Sequence, residues 1–259
     1  MAKEINLNAD MGESFGAYAI GNDPAMLEVV SSANIACGFH AGDPLVMRET
    51  VGLAFQNGVS VGAHPGFPDL QGFGRRKMTM SAKEVEAITI VQIGALQAVA
   101  AAAGGKVTHV KPHGALNNIA AVDDVLAEAI ARAIKAVDPG LIFLAPACSA
   151  MARASEKLGL KTAIEIFADR AYAPDGQLVT RGQPGAMIHH PEEALAHVLK
   201  MVREQALFPL AGGRIDTPVD SVCVHGDGPE AEATARLVKE GLAKEGYAVK
   251  TLPAMAKFA

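Results

Sequence analysis

Short apolar runs alternate with longer helical segments along the whole chain. Seven of these runs are β-branched or apolar on both faces, which is the pattern of central strands in a parallel sheet. The strands predicted from them are Glu4–Ala9, Ala33–Cys37, Val59–Ala63, Val107–Lys111, Leu141–Ala145, Thr162–Phe167 and Ser221–His225.

Capping signals place helices between these runs. Asp43-Pro44 is an N-cap followed by proline at the first helical position, and Gly58 ends that helix. A capping box from Ser81 to Glu84 opens the next helix. This second helix ends at Gly104-Gly105. Three further helices are predicted from Asp123 to Ala136, from His190-Pro191 to Gln205, and from Gly228-Pro229 to about Gly246.

Strands that alternate with helices imply right-handed βαβ crossovers and a parallel sheet. About seven such units fit a closed or nearly closed β/α barrel, and no linker divides the chain. We therefore predict an α/β fold, a seven-stranded TIM-like barrel formed by a single domain over residues 1–259. An open doubly wound sheet is the alternative.

The segment Asp169–His190 interrupts this alternation. It is rich in glycine and proline and has little periodicity. A loop of this length in a compact domain is often a lid over the site. A surface hairpin with Gln177–Arg181 as one arm is the other interpretation.

Composition narrows the class of protein. Half of the 259 residues are hydrophobic, aromatic residues make up 5% and there is no tryptophan, so aliphatic side chains must fill the core. The formal net charge of −5 argues against nucleic acid as a partner. The cysteines Cys37, Cys148 and Cys223 lack zinc-type spacing and are odd in number, which favours reduced cytoplasmic thiols.

Nothing in the pattern indicates a membrane protein. The first residues lack a signal-peptide apolar run. The uncharged stretch Ala87–Gly105 is rich in alanine and contains Gln92 and Gln97, so we interpret it as a soluble helix packed on the sheet. A cytoplasmic location is expected.

Ionisable residues collect directly after the predicted strands. Because the carboxyl ends of parallel strands meet on one face of a barrel, these residues should converge on one pocket. The candidates are Asp10, Glu13, His40, His64, Lys111, His113, Glu165, Arg170, His225 and Asp227.

Several of these residues also have a purely structural interpretation. Asp43 is explained as an N-cap, and His40 could donate to a carbonyl in its turn. His64 and His113 lie in tight turns beside proline and glycine, which favours chemistry for both. An ionised Asp10 at a barrel mouth is costly without a partner, which also favours a functional role.

Two segments are suited to anions. Gly72–Lys77 combines glycines with Arg75, whose guanidinium can fork onto a carboxylate or phosphate. Gly226–Pro229 leads into a helix amino terminus, although such residues also mark ordinary turns. No P-loop, dinucleotide fingerprint or GxSxG elbow occurs, so ATP has no Walker-type site here.

Long segments of the chain resemble the family of bacterial 5-oxoprolinase A subunits, also called the LamB/YcsF family. They cover nearly the whole chain in order. They are NLNADMGES at 6–14, NIACGFHAGD at 34–43, GAHPGFPD at 62–69, GFGR at 72–75, VKPHGALN at 110–117, EIFADRAY at 165–172, LVTR at 178–181 and VHGD at 224–227.

The resemblance implies a seven-stranded barrel like that of the glycoside hydrolase/deacetylase superfamily. It also implies ATP-dependent opening of 5-oxoproline to glutamate, together with subunits B and C, with Mg²⁺ accompanying ATP. Formation of a homo-oligomer stays open.

A chemical account accompanies this resemblance. An unstrained lactam resists hydrolysis, and phosphorylation of its oxygen makes the ring carbon electrophilic. The site then needs a base for water and cations for phosphate. Asp10 or His64 is the candidate base, with Lys111 and His113 as further catalytic residues. The expected substrate- and phosphate-binding residues are Glu13, His40, Arg75, Glu165, Arg170, His225 and Asp227. We expect ATP to be shared across an interface with a partner.

A catalytic metal is a separate question. The deacetylases, which the chain resembles distantly, pair two carboxylates after the first strand with histidines from later strands. Asp10, His64 and His113 match these positions, but Met11 replaces the second carboxylate and cannot hold a hard divalent ion. Glu13 is the candidate replacement. Two other classes remain open, a metal-dependent amide or sugar N-acetyl hydrolase and a non-catalytic binding subunit.

Overall fold

A computed structural model describes residues 3–225 and 230–259. The strands in chain order are β1 Lys3–Met11, β2 Ser32–Ala36, β3 Ser60–His64, β4 Val107–Val110, β5 Ile142–Pro146, β6 Lys161–Phe167, β7 Ala206–Leu207, β8 Ile215–Asp216, β9 Ser221–Cys223 and β10 Tyr247–Val249. The helices are α1 Asp23–Leu27, α2 Pro44–Gln56, α3 Ala82–Ala102, α4 Gly114–Ala120, α5 Asp124–Val137, α6 Ala150–Lys157, α7 Pro191–Glu204 and α8 Ala231–Lys244.

Seven parallel strands close into a barrel. Their order is β1-β2-β3-β4-β5-β6-β9, and β9 pairs back onto β1 through Asn6↔Ser221 and Asn8↔Cys223. β10 adds to the first residues of β1, beside the barrel. The seven-stranded α/β barrel predicted from the sequence is therefore confirmed.

Several barrel strands are buried on both faces. Every residue of β2, β3 and β5 is buried, which explains the continuous apolar runs in the sequence. The helices begin where capping was expected. The Asp43 side chain accepts from the amides of Leu45 and Val46, and the capping box of Ser81 and Glu84 is complete.

Helix α3 is long and apolar enough to cross a bilayer by length and composition alone. It packs against β3, β4, α2 and α5, and its buried residues include Val85, Ile93, Leu96 and Ala100. These contacts agree with the prediction of a helix packed on the sheet.

The structure adds elements that the pattern did not predict: α1, α4, α6, β7, β8 and β10. The seventh barrel strand ends at Cys223, so His225 lies beyond it. The last helix is described from Ala231, whereas its predicted start at Gly228-Pro229 lies outside the described residues.

Segment 169–190 is neither a helix nor a regular hairpin. Isolated bridges join Arg170 to Met187 and Tyr172 to Leu178. Gln177–Arg181 is therefore not the arm of a continuous ladder. The segment instead forms part of the wall of the cavity described below.

Candidate active site

The barrel interior is polar at the carboxyl ends of its strands. Lys111, directly after β4, is 2% exposed and lies between two carboxylates. Its Nζ is 2.8 Å from Oδ1 of Asp10 and 3.2 Å from Oε1 of Glu165. Burial opposes a charge on Lys111, but the two carboxylates outweigh it and raise its pKa well above the ordinary value.

Asp10 is held in its ionised form. The Asn34 side-chain amide donates to Oδ1 at 2.9 Å, and Nε2 of His64 lies 3.3 Å from Oδ2. Burial opposes ionisation of Asp10, but its interactions with His64 and with the ammonium group of Lys111 hold its pKa well below the usual range. The site therefore presents a fixed carboxylate to the cavity.

Glu165 has the opposite environment. Its side chain is completely buried on β6, where the Asn8 amide donates to Oε1 at 2.9 Å. Among the residues that the structure describes, Oε2 has no hydrogen-bond partner. Burial raises the pKa of Glu165 even though Lys111 acts in the other direction. Two carboxylates on either side of one lysine thus have pKa values shifted in opposite directions.

Three histidines and a glutamate form a second, neighbouring cluster. Glu13, His40, His64 and His113 place one ligand atom each within 4.8 Å of one another, and all four are buried. Oε1 of Glu13 is 3.3 Å from Nε2 of His40 and 3.3 Å from Nδ1 of His113. That Nδ1 is 2.9 Å from Nε2 of His64.

Glycines make room for these rings. A Cβ at residue 66 would meet Nδ1 of His40 at 2.6 Å. A Cβ at residue 74 would meet both His40 and His113 at 2.8 Å. The rings of His40 and His113 stack at 3.7 Å between their centroids. The glycines in the segments around residues 66 and 74 are therefore required by side-chain packing at the site.

The donor set fits a transition-metal ion. Nδ1 of His64 lies 2.6 Å from the Lys111 carbonyl and Nε2 of His113 lies 2.9 Å from the Phe73 carbonyl. A ring N–H donating to each carbonyl leaves the inner nitrogen of each histidine with a lone pair, as in protein metal sites. Burial lowers the pKa of His113 to about 3 and that of His40 well below its usual value, so both rings are neutral. Imidazole nitrogens with one carboxylate suit zinc-like ions better than Mg²⁺ or Ca²⁺.

Asp10 lies beside this cluster rather than within it, which differs from the expected ligand set of Asp10, His64 and His113. Asp10 instead belongs to a second group with Cys223 and His225. Nζ of Lys111 lies 3.0 Å from the Cys223 sulfur and 2.8 Å from Asp10. The ammonium group contacts both of these potential ligands, so this second group does not fit a metal ion.

A histidine–aspartate pair lies close to the Asp10 network. Nδ1 of His225 is 2.8 Å from both carboxylate oxygens of Asp169, and the His225 ring stacks on Phe167. Burial opposes ionisation of Asp169, but His225 outweighs it and lowers the pKa of that carboxyl. The pair fixes the orientation of a ring that also lines the cavity.

A cavity of about 1010 Å³ opens over these groups. The predicted residues on its wall are Asp10, Glu13, His64, Arg75, Lys111, His113, Arg170 and His225. Glu165 lies beneath Lys111, and His40 lies behind His113 in the histidine cluster. The structure thus brings ten predicted residues to one end of the barrel, while Asp227 lies outside the described residues.

Sequence reasoning missed the amides that connect the network. Asn8 and Asn34 are completely buried and hydrogen-bond to each other at 2.7 Å. Nε2 of His109, whose pKa burial lowers to about 3, lies 3.1 Å from Asn34 Oδ1. The signal was the two-residue period of strand 1, which places Asn8 on the same face as Asp10.

Ionisable side chains around a cavity at the carboxyl ends of a closed parallel barrel define the class of β/α-barrel enzymes. The LamB/YcsF family model matches residues 5–257, and the chain belongs to this family. A protein named as the A subunit of 5-oxoprolinase from Azoarcus sp. (strain BH72) is 55% identical over 97% of this chain and 98% of its own length. Another of that name from Gluconobacter oxydans (strain 621H) is 51% identical over 97% and 99%.

Solved structures agree with this family. A lactam utilization protein from Thermus thermophilus is 47% identical, with a TM-score of 0.90 over 96% of this chain and 100% of that one. The catalytic domain of a peptidoglycan N-acetylglucosamine deacetylase from Eubacterium rectale ATCC 33656 is 11% identical, with a TM-score of 0.51 over 99% and 90%. This second similarity is one of fold alone.

Proposed function

We propose that the chain is one component of an ATP-dependent 5-oxoprolinase, which opens 5-oxoproline to L-glutamate while ATP is hydrolysed to ADP and phosphate. The observation that carries the proposal is the ionised Asp10 held by Lys111 at the floor of a cavity. The relatives named as A subunits of 5-oxoprolinase give the substrate, and their name implies a multi-subunit enzyme.

ATP is a co-substrate of the assembled enzyme, with Mg²⁺ as its counterion. The chain has no Walker-type loop, so partner subunits B and C contribute to ATP binding and to phosphorylation of the lactam oxygen. The barrel then receives the activated lactam. The complex works in the cytoplasm and needs neither nucleic acid nor a membrane.

Ring opening uses first the carboxylate of Asp10 and then His225, which is paired with Asp169. Asp10, positioned by Lys111, accepts a proton from the water that attacks the ring carbon, and the electron pair of the C=N bond moves to the ring nitrogen. His225, oriented by Asp169, donates the proton that lets the ring nitrogen leave. The C–N bond breaks to give a glutamyl phosphate, and a second water releases phosphate and glutamate.

The test is reconstitution from purified components. The chain is mixed with subunits B and C, 5-oxoproline, Mg²⁺ and ATP, and glutamate and ADP are measured together. We expect both products only when all three proteins are present. Equal glutamate formation without this chain, or none in the complete mixture, contradicts the proposal.

A metal-dependent amide or sugar N-acetyl hydrolase is the second candidate function. The specific observation in its favour is the buried cluster of Glu13, His40, His64 and His113 with its carbonyl-oriented rings. These residues would hold the ion. A bound zinc-like ion supplies Lewis acidity and a more acidic water.

Metal analysis distinguishes the two candidates. The protein is purified without chelator and its metal content is measured by mass spectrometry, for the wild type and for Glu13→Gln. The hydrolase candidate predicts one tightly held ion per chain, and a metal affinity about 10–100-fold lower in Glu13→Gln. It also predicts that hydrolysis proceeds without ATP. Hydrolysis that depends on ATP, whatever the metal content, contradicts it.

A further inference from the structure

The guanidinium group of Arg170 forms no direct ion pair with a carboxylate in the described part of the chain, although the charge of the neighbouring Asp169 acts on it. Arg170 is 4% exposed and lies after β6, on the cavity wall. Its Nη2 donates to the Val179 carbonyl at 2.7 Å, whereas its Nε has no hydrogen-bond partner. A buried guanidinium without a direct carboxylate partner is costly, because its loss of hydration is only partly offset.

A second guanidinium reaches the same cavity two residues after Val179. Arg181 is exposed, and no carboxylate among residues 3–225 and 230–259 pairs with it. The Arg181 Nη1 lies 3.5 Å from the sulfur of Met187, the residue that bridges to Arg170. Burial lowers the pKa of Arg170, and the charge of Arg181 lowers it further, although Asp169 acts in the opposite direction. The guanidinium groups of Arg75, Arg170 and Arg181 therefore line one cavity.

We infer that Arg170 and Arg181, together with Arg75, form an anion subsite that takes the phosphoryl group of a phosphorylated substrate. The inference rests on the proposed function, in which the lactam reaches the barrel already phosphorylated. Arg170 is the buried, preorganised member, and Arg181 completes the subsite from the segment 169–190.

A phosphoryl group fits this subsite better than the carboxylate of the lactam. A phosphate carries more charge and more acceptor oxygens than a carboxylate, so it can accept hydrogen bonds from several guanidinium groups at once. The charge of Lys111 is already compensated by Asp10 and Glu165, so Lys111 is not available for a further anion. The cavity of about 1010 Å³ also exceeds what an unmodified five-membered lactam fills.

The test uses inorganic phosphate as the probe and the isolated full chain after EDTA treatment, so that no metal ion contributes to binding. Titration calorimetry compares the wild type with Arg181→Met, which is exposed and leaves the core intact. We expect the variant to bind phosphate about tenfold more weakly, the loss of one charge-assisted contact. Arg48→Met, exposed on α2 and away from the cavity, is the matched control and keeps the wild-type affinity.

Acetate is titrated in parallel as a carboxylate probe. Binding of acetate as tight as that of phosphate, with the same dependence on Arg181, overturns the assignment to a phosphoryl group. Phosphate binding that is absent, or unchanged in Arg181→Met, overturns the subsite itself. Arg181-dependent phosphate binding in a protein that gives no glutamate with its partners keeps the subsite and removes the proposed function.

Discussion

Lys111 links the two buried carboxylates of the site. Its ammonium group contacts Asp10 and Glu165, and the Asn8 side chain bonds to Glu165 on the same network. Each of these charged or polar groups offsets the desolvation cost of burying its neighbour. The polar interior of this barrel is therefore stable only as a complete set.

Removing the charge of Lys111 tests this dependence. We expect Lys111→Met to lower the free energy of unfolding by about 3–5 kcal/mol, because a buried carboxylate is left without its cation. Urea denaturation followed by circular dichroism measures the loss. Lys106→Met, an exposed lysine just before β4, is the control and should stay within about 0.5 kcal/mol of wild type. A loss below about 1 kcal/mol for Lys111→Met contradicts the network.

The pair of Asp169 and His225 predicts a pH-dependent stability. The pKa of Asp169 is lowered in the folded protein, so the pair stabilises the fold above the ordinary aspartate pKa of about 4. This stabilisation disappears as the pH falls through the lowered value. The difference in unfolding free energy between wild type and Asp169→Asn should therefore be present above the ordinary aspartate pKa and vanish in acid. Urea titrations at several pH values measure it, and a difference that grows in acid refutes the assignment.

The exposed pair of Asp124 with Arg153 supplies the control for this experiment. Both side chains are largely exposed, and exposed pairs contribute little. Asp124→Asn should give a small difference from wild type at every pH. A pH-dependent difference as large as that of Asp169→Asn would show that burial is not the cause.

The loop between β2 and α2 is fixed by close backbone packing. Gly42 has a φ of +79°, and a Cβ there would lie 2.7 Å from the Gly12 carbonyl oxygen and 2.8 Å from that of Ala36. This loop carries His40 and the Asp43 cap. The conformation of one glycine therefore supports one histidine of the cluster.

Two glycine-to-alanine substitutions compare the stability requirement of this loop with that of an ordinary helix position. Gly42→Ala should destabilise the protein by at least about 1–3 kcal/mol, because of both the positive φ and the backbone clash. Gly52→Ala, inside α2 with open space around it, should instead stabilise by about 0.5–1 kcal/mol. Thermal unfolding of both variants measures whether each change lowers or raises the stability. A neutral Gly42→Ala contradicts the described packing.

The elements that could be predicted are those with a strong local signal. Apolar runs located the seven barrel strands, and capping residues located α2, α3, α5 and α7. β10 has only three residues, and α4 begins at Gly114 without a side-chain cap, so neither has a clear pattern. The two-residue strands β7 and β8 exist only through their mutual pairing.

The face of the barrel that carries the site followed from topology, but its internal contacts did not. Residues after parallel strands must gather at one end, which placed Asp10, His64 and Lys111 together. Which side chain meets which depends on strand register and on closure between β1 and β9. Local patterns do not contain that information, so the position of Lys111 between two carboxylates was missed, although the sequence indicated Glu13 as the candidate carboxylate beside His64 and His113. That residues 1–259 form a single domain stays a prediction.

The central claim is that this barrel carries out ring opening. The most direct measurement is glutamate release from 5-oxoproline and ATP by the chain with subunits B and C, comparing wild type with Asp10→Asn. The exposed Asp216→Asn is the control, and gel filtration checks that each complex assembles. We predict that Asp10→Asn assembles but loses at least about 100-fold in rate, because the base is removed, while Asp216→Asn keeps its activity. Wild-type rates in an assembled Asp10→Asn complex would contradict the account and place the chemistry on the partner subunits.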